Sequence, residues 1–355
     1  MNKSYNRIFY LDLMKTLAIV MVVSLHSGLW HTNFISNLTF ATYFQYFLRL
    51  IMEGVPIFLL VNGYLRLSKS FDLKKHLNKI LKLFIIYMVW SFILTILLSL
   101  INIDSISIRY LIESVLLTDS AKYTGVLWFI RYLILIYFIF PIIKYIYDNN
   151  YNLFKYLFII LVIFTFGFNF LYMIIDLINC KNTISILASF RVLINSFNIR
   201  IVDNIFLLYF MLGGIVYKEK NKICNSRTLI LGIVCWFFAF AYGVVMSKIN
   251  NSLYTNNYNY KEVMLMFTIL GFLFIFMKLN IKNKYIKNAI ISVSDNSMGI
   301  YLIHTIIIAL LNLLFPFGEY GLLVRALTTL MVVILSWLLA IILRKIPLVN
   351  KLIKI

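Results

Sequence analysis

Long apolar blocks alternate along this chain with short clusters rich in lysine and arginine. A helix needs roughly 20 mostly apolar residues to cross a bilayer. Ten blocks approach that length, at about 11–31, 44–65, 80–101, 125–145, 154–175, 203–217, 228–247, 262–279, 290–315 and 322–343. The sixth is short, and a lysine-rich loop separates the eighth from the ninth. The pattern predicts an all-α fold, a polytopic membrane helix bundle with about ten transmembrane helices. The stretches near 102–124 and 176–202 are too short for a soluble domain, so residues 1–355 read as a single transmembrane domain with no fused soluble part. Any chemistry must then lie among the helices.

Basic residues orient the bundle. With an even number of spans and the N-terminus inside, 22 of the 33 lysines and arginines fall at inner ends or loops. Arg7 is in this set, as are Lys79, Lys82, Lys287 and Arg344. Positive charge is retained on the cytoplasmic side of membranes, so both termini are expected to be cytoplasmic.

Composition sharpens this picture. The chain is 62% hydrophobic and only 13% charged, with a mean hydropathy of +0.91. A net charge of +20 invites a nucleic-acid reading, but the cations are dispersed between apolar runs and make no broad polar face, so no nucleic-acid partner is expected. Lys3 and Arg7 ahead of the first run suggest a signal peptide. Asp12 and Lys15 within that run, and the lack of a small-residue cleavage site, favour a retained first span. Cys180, Cys224 and Cys235 form no C-x-x-C pattern, and neither a disulfide framework nor a metal site is expected.

Several spans carry groups that hydrocarbon penalises. In "DLMKTLAIVMVVSLHSGLW", Lys15 and His26 are eleven residues apart, three helical turns plus about 20°, on one face and roughly 16 Å apart. With Asp12 one turn away, they predict a polar stripe from the inner surface to about mid-membrane. Such groups usually face a bundle interior or a wet cavity. Asp12 and Lys15 read equally as an interfacial ion pair, and His26 either as a helix–helix hydrogen bond or as a proton acceptor. Arg49 and Glu53 form an i, i+4 pair ahead of Gly54, Pro56, Asn62 and Gly63, a kinked span in which Glu53 either bridges to Arg49 or orients His26. Lys79 and Lys82 share a face at the inner surface, suited to an anionic ligand or to lipid headgroups. Trp128 takes an interfacial aromatic position, with Arg131 one turn deeper. Ser297, Tyr301 and His304 make a polar stripe on the ninth span. Counted from Arg7 and Lys287, His26 and His304 reach similar depth, within about 3 Å.

Read in order, "RIFYLDLMKTLAIVMVVSLH", "GVPIFLLVNGYL", "KILKLFIIYMVW", "LWFIRYLILIYFIFP", "YFMLGGIVY" and "SMGIYLIH" resemble the membrane acyltransferase family often called acyltransferase type 3, multi-span O-acyltransferases of bacterial surface glycans and related acceptors. The resemblance covers nearly the whole chain. It implies that His26 is the essential histidine and that Lys15 is the basic residue preceding it on the same face. Lys79 and Lys82 occupy the place of an Arg-x-x-Arg pair that engages acyl-CoA; lysine keeps the charge and loses the planar fork. Val126 stands where many members have histidine, and Asn62 where many have serine.

The resemblance thus implies a multi-pass enzyme of the bacterial cytoplasmic membrane. It would move an acyl group, expected to be acetyl, from cytoplasmic acetyl-CoA or another acyl-CoA to a hydroxyl of a glycan, a lipid-linked precursor or a small-molecule acceptor. Lys15, Lys79 and Lys82 would hold the donor, and His26 would act as general base with Glu53 or His304 orienting it. Membrane lipid is the surrounding partner, and no metal is expected. Intramembrane charge equally marks transport routes, which leaves an exporter of polysaccharide, lipid-linked sugar or small solute as the alternative. A structural partner in a glycan-synthesis complex is a third reading.

Overall fold

In an apolar medium the backbone must satisfy its own hydrogen bonds, so the apolar blocks fold as helices. The computed structural model describes residues 7–30, 39–52, 54–115, 122–179, 205–254, 263–316 and 320–354; Lys3, Glu53 and Cys180 lie outside the described residues. The helices are α1 (Phe9–His26), α2 (Phe40–Arg49), α3 (Gly54–Leu67), α4 (Leu73–Ile101), α5 (Ile108–Val115), α6 (Trp128–Asn149), α7 (Tyr151–Val162) and α8 (Phe168–Asn179). After them come α9 (Ile205–Ile223), α10 (Ser226–Ile249), α11 (Val263–Lys278), α12 (Lys284–Leu314), α13 (Leu322–Leu343) and α14 (Pro347–Ile353). No strand occurs among the described residues.

Eight helical stretches are long and apolar enough to cross a membrane. The sixth and eighth expected spans are not among them: α9 has 19 residues but bends at Glu219 and carries Lys218, Glu219, Lys220 and Lys222 in its last turns, and α11 has only 16 residues. The second expected span divides into α2 and α3. Pro56 falls in the first turn of α3, where its missing N–H costs no intrahelical bond. Side chains of Asp72, Asn150, Asn225 and Asn283 accept backbone N–H bonds at the starts of α4, α7, α10 and α12. Each satisfies donors that a helix N-terminus leaves open, and each lies in one of the basic loops.

The chain divides into two compact units. The first comprises residues 1–29, 70–142 and 281–355; in it α1 packs on α12, and α12 on α13 and α4. Pro141, inside α6, has no N–H to offer the carbonyl of Tyr137 four residues earlier. The buried His76 repairs the gap, donating from Nε2 to Tyr137 O at 2.8 Å. Trp90 of α4 donates to Leu352 O at 3.0 Å and ties α14 down.

The second unit comprises residues 30–69 and 143–280. Here α3 and α9 meet at backbone distance. A Cβ on Gly63 would lie 1.8 Å from Phe210 O, and one on Gly213 2.1 Å from Leu60 O. Small residues allow such approach and stabilise helix pairs where no hydrophobic effect acts between them. The buried Lys144 donates to Leu67 O at 2.9 Å and to Asp148 at 2.6 Å. Lys218 lies over the rings of Tyr147 and Tyr151 at 4.2 and 4.1 Å. Cys224 and Cys235 are free thiols; burial raises the Cys224 pKa to about 12, which makes it inert.

Candidate active site

His26 is placed by the way α1 ends. Ser27 caps the helix and Gly28 takes a left-handed φ of 71°. Gly28 N donates to Leu25 O at 3.4 Å and Leu29 N to Ser24 O at 3.3 Å, the paired closure of a Schellman motif. His26 is therefore the last helical residue, with α13 bracing the turn beyond it. Ser27 Oγ lies 2.6 Å from Thr329 Oγ1, and Arg325 Nη1 donates to Gly28 O at 3.4 Å.

His26 is accessible, whereas His304 of α12 is fully buried. The rings lie 5.0 Å apart between centroids, with His26 Nδ1 3.0 Å from His304 Nε2. His304 Nδ1 is 2.7 Å from Tyr301 O. A carbonyl only accepts, so His304 Nδ1 carries a proton. In the neutral pair His304 Nε2 must then be the acceptor and His26 Nδ1 the donor. That leaves the lone pair of His26 on Nε2, the nitrogen this chain of bonds does not use. An N···N contact of this length needs one donor and one acceptor, so the pair carries at most one imidazolium.

Tyr301 holds this arrangement from the other side. Its hydroxyl donates to Val126 O, in the 3-10 turn Gly125–Leu127 that leads into α6. Its ring packs edge-on against Phe129 at 5.8 Å. Trp128 packs on Phe129 and Tyr132 and shares this first turn of α6; Arg131 is half-buried just beyond.

The other end of α1 is ionic. Asp12 is buried and accepts from Arg7 Nε at 2.7 Å, Arg7 Nη2 at 2.9 Å and Ser294 Oγ at 2.6 Å. Arg7 also grips Asp295 of α12 at 2.8 and 3.1 Å. The hydrogen bond to Asp12 above all, and that to Asp295 next, raise the Arg7 pKa further above its ordinary value. Lys15 Nζ stays 3.7 Å from Asp12 Oδ1.

The expected Asp12–Lys15 pair is therefore secondary to Arg7. Within the expected polar stripe, on the face between Lys15 and His26, Ala18, Ile19 and Val22 are buried. Apolar packing divides α1 into two polar ends, which spares the middle of the helix the cost of burying charge.

Lys79 and Lys82 are half-buried on α4 in the same unit. Lys79 Nζ lies 6.0 Å from the Tyr137 ring, and Lys354 adds charge beside Lys82. Arg49 is the last residue of α2, in the second unit, and its expected partner Glu53 lies outside the described residues. Sequence reasoning gives Arg7 a topological and depth-marking role and assigns none to Ser294 and Asp295. The signals were R-x-x-x-x-D at 7–12 and "SDN" at 294–296.

A family model described as an acyltransferase domain matches residues 8–341, nearly the whole chain. No curated protein and no solved structure matches it significantly.

Proposed function

The chain belongs to this acyltransferase family, and from that premise we propose that it transfers an acetyl group from cytoplasmic acetyl-CoA to a hydroxyl of a cell-surface or lipid-linked glycan. The reading is carried by the His26–His304 contact, in which the Tyr301 carbonyl directs the free lone pair to His26 Nε2. His26 Nε2 takes the acceptor's hydroxyl proton as its oxygen attacks the thioester carbonyl. The C–S bond breaks, and the imidazolium returns its proton to the CoA thiolate, giving an ester and free CoA. His304 Nε2 shares the positive charge that His26 holds between those steps. General base catalysis of this kind contributes about 100-fold to 10,000-fold.

Lys79 and Lys82 hold phosphates of the donor at the basic end. Lys15 adds a third cation, about 16 Å along α1 from His26, a separation suited to a ligand with phosphates at one end and a thioester at the other. The basic asymmetry of the loops supports a cytoplasmic donor.

Purified protein in vesicles, given acetyl-CoA and an extract of surface glycan, releases CoA only when acceptor is present. The His26→Ala variant at equal abundance loses at least about 100-fold of that release. Near-normal release by that variant rejects the base role, and solute movement without thioester loss favours an exporter. Mass spectrometry of surface polymers with and without the protein identifies the acyl mass and its acceptor.

A further inference from the structure

Asp12 is one turn from Lys15 on α1, a spacing at which carboxylate and ammonium pair directly. Here the pairing is loose. Both Asp12 oxygens are taken at 2.6–2.9 Å by Arg7 and Ser294, and Lys15 Nζ is held off at 3.7 Å. The Lys15 ammonium is left with that long ion pair to Asp12 and keeps about a quarter of its side chain accessible, 23%. Arg7 is itself saturated. Its two terminal nitrogens reach Asp295 at 2.8 and 3.1 Å, and Nη2 also reaches Ile291 O at 3.4 Å. The guanidinium is thus fixed between a carboxylate on α1 and one on α12, and only its planar fork can serve both.

We propose that Arg7, anchored by Asp295, is a positioning residue that occupies Asp12 and so keeps the donors of Lys15 open to an anionic ligand. On the reading that Lys15 helps hold the acyl-CoA phosphates, the same clamp sets donor affinity. Without Arg7, Lys15 closes on Asp12 and its N–H groups are consumed inside the protein. Removing the Asp12 charge as well releases them again.

The test uses the full-length protein in detergent and two readouts. Pulse labelling with acetic anhydride, followed by peptide mass spectrometry, measures how free the Lys15 amine is without turnover. Steady-state CoA release measures KM for acetyl-CoA and kcat separately. Arg7→Gln is expected to reduce Lys15 labelling several-fold and to raise KM by roughly tenfold, the scale of one hydrogen bond to a charged group. Asp12→Asn added to Arg7→Gln restores both. Asp295→Asn, which leaves Arg7 on Asp12 but loosens its anchor, moves both readouts in the Arg7→Gln direction by less, and serves if Arg7→Gln does not fold. Unchanged labelling in Arg7→Gln and Asp295→Asn overturns the proposal, as does a double variant no better than Arg7→Gln, the behaviour of a purely structural clamp. Labelling that falls and recovers as expected while KM stays constant upholds the clamp and removes Lys15 from the donor site.

Discussion

Replacing His304 with alanine tests the relay behind His26. On the proposed mechanism His26 becomes an imidazolium in the transition state, with its Nδ1–H pointing at His304 Nε2, 3.0 Å away. A hydrogen bond to a charged group contributes about 1.5–3 kcal/mol. At about 1.4 kcal/mol per factor of ten, its loss lowers kcat by roughly 10-fold to 150-fold. His304→Gln separates two roles. Its amide oxygen can still accept from His26 Nδ1 and keep the lone pair on Nε2, but it cannot take a proton, so its kcat falls between that of the parent and His304→Ala. The assay is CoA release at saturating acetyl-CoA and acceptor, with elution profiles confirming equal folded protein. Because the two imidazoles act as one unit, His26→Ala and the double variant His26→Ala/His304→Ala should be equally impaired. A His304→Ala enzyme within about twofold of the parent, or a double variant clearly worse than His26→Ala, refutes the relay.

Gly28→Ala places a side chain at φ 71°, a left-handed conformation that costs an L-residue about 1–2 kcal/mol. Thermal melting in detergent should show lower stability, and kcat should fall with it because the turn fixes His26; Gly125→Ala, which meets nothing within 4 Å, should leave both unchanged. His76→Ala leaves the Tyr137 carbonyl unbonded in a buried site, a loss of about 1–3 kcal/mol. Pro141→Ala in that background should recover much of it by returning an N–H, as melting of the single and double variants will show. Lys79→Gln and Lys82→Gln should each raise KM for acetyl-CoA by more than they lower kcat; a pure kcat effect would contradict donor binding.

Most of the helical architecture was legible because hydropathy reports it directly. Legibility failed where one residue's effect depends on another helix. The break before Gly54 was anticipated only as a kink, since Pro56 reads alike inside a helix and in its first turn. The apolar Leu29 and Trp30 extend the hydropathy block past the end of α1, although "HSG" carries a left-handed glycine signal. Proximity along the chain pairs Asp12 with Lys15, yet Arg7, five residues away and ahead of the helix, has the longer reach and the fork that a carboxylate prefers. His304 is legible from its spacing to Tyr301 and its depth matching that of His26, but its contact with His26 depends on α1 and α12 being neighbours, which no single sequence displays.

The identity of residue 304 decides which nitrogen of His26 is basic, and the decision originates in the backbone. The Tyr301 carbonyl has a second lone pair beyond the one its own helix uses, and an imidazole three residues later can reach it. Once His304 Nδ1 donates there, Nε2 can only accept in the neutral pair, and His26 is obliged to donate from Nδ1. A lysine at 304 would be a donor only; it would claim Nδ1 of His26 and move the hydrogen to Nε2, where an acceptor hydroxyl would find no lone pair. An aspartate would accept correctly but would place a fixed charge at a fully buried position, at a cost of several kcal/mol. Imidazole is the side chain that accepts on one nitrogen, donates on the other and remains uncharged while doing both. A histidine beside a histidine is therefore the pairing that an apolar helix bundle can bury and still use to take up a proton.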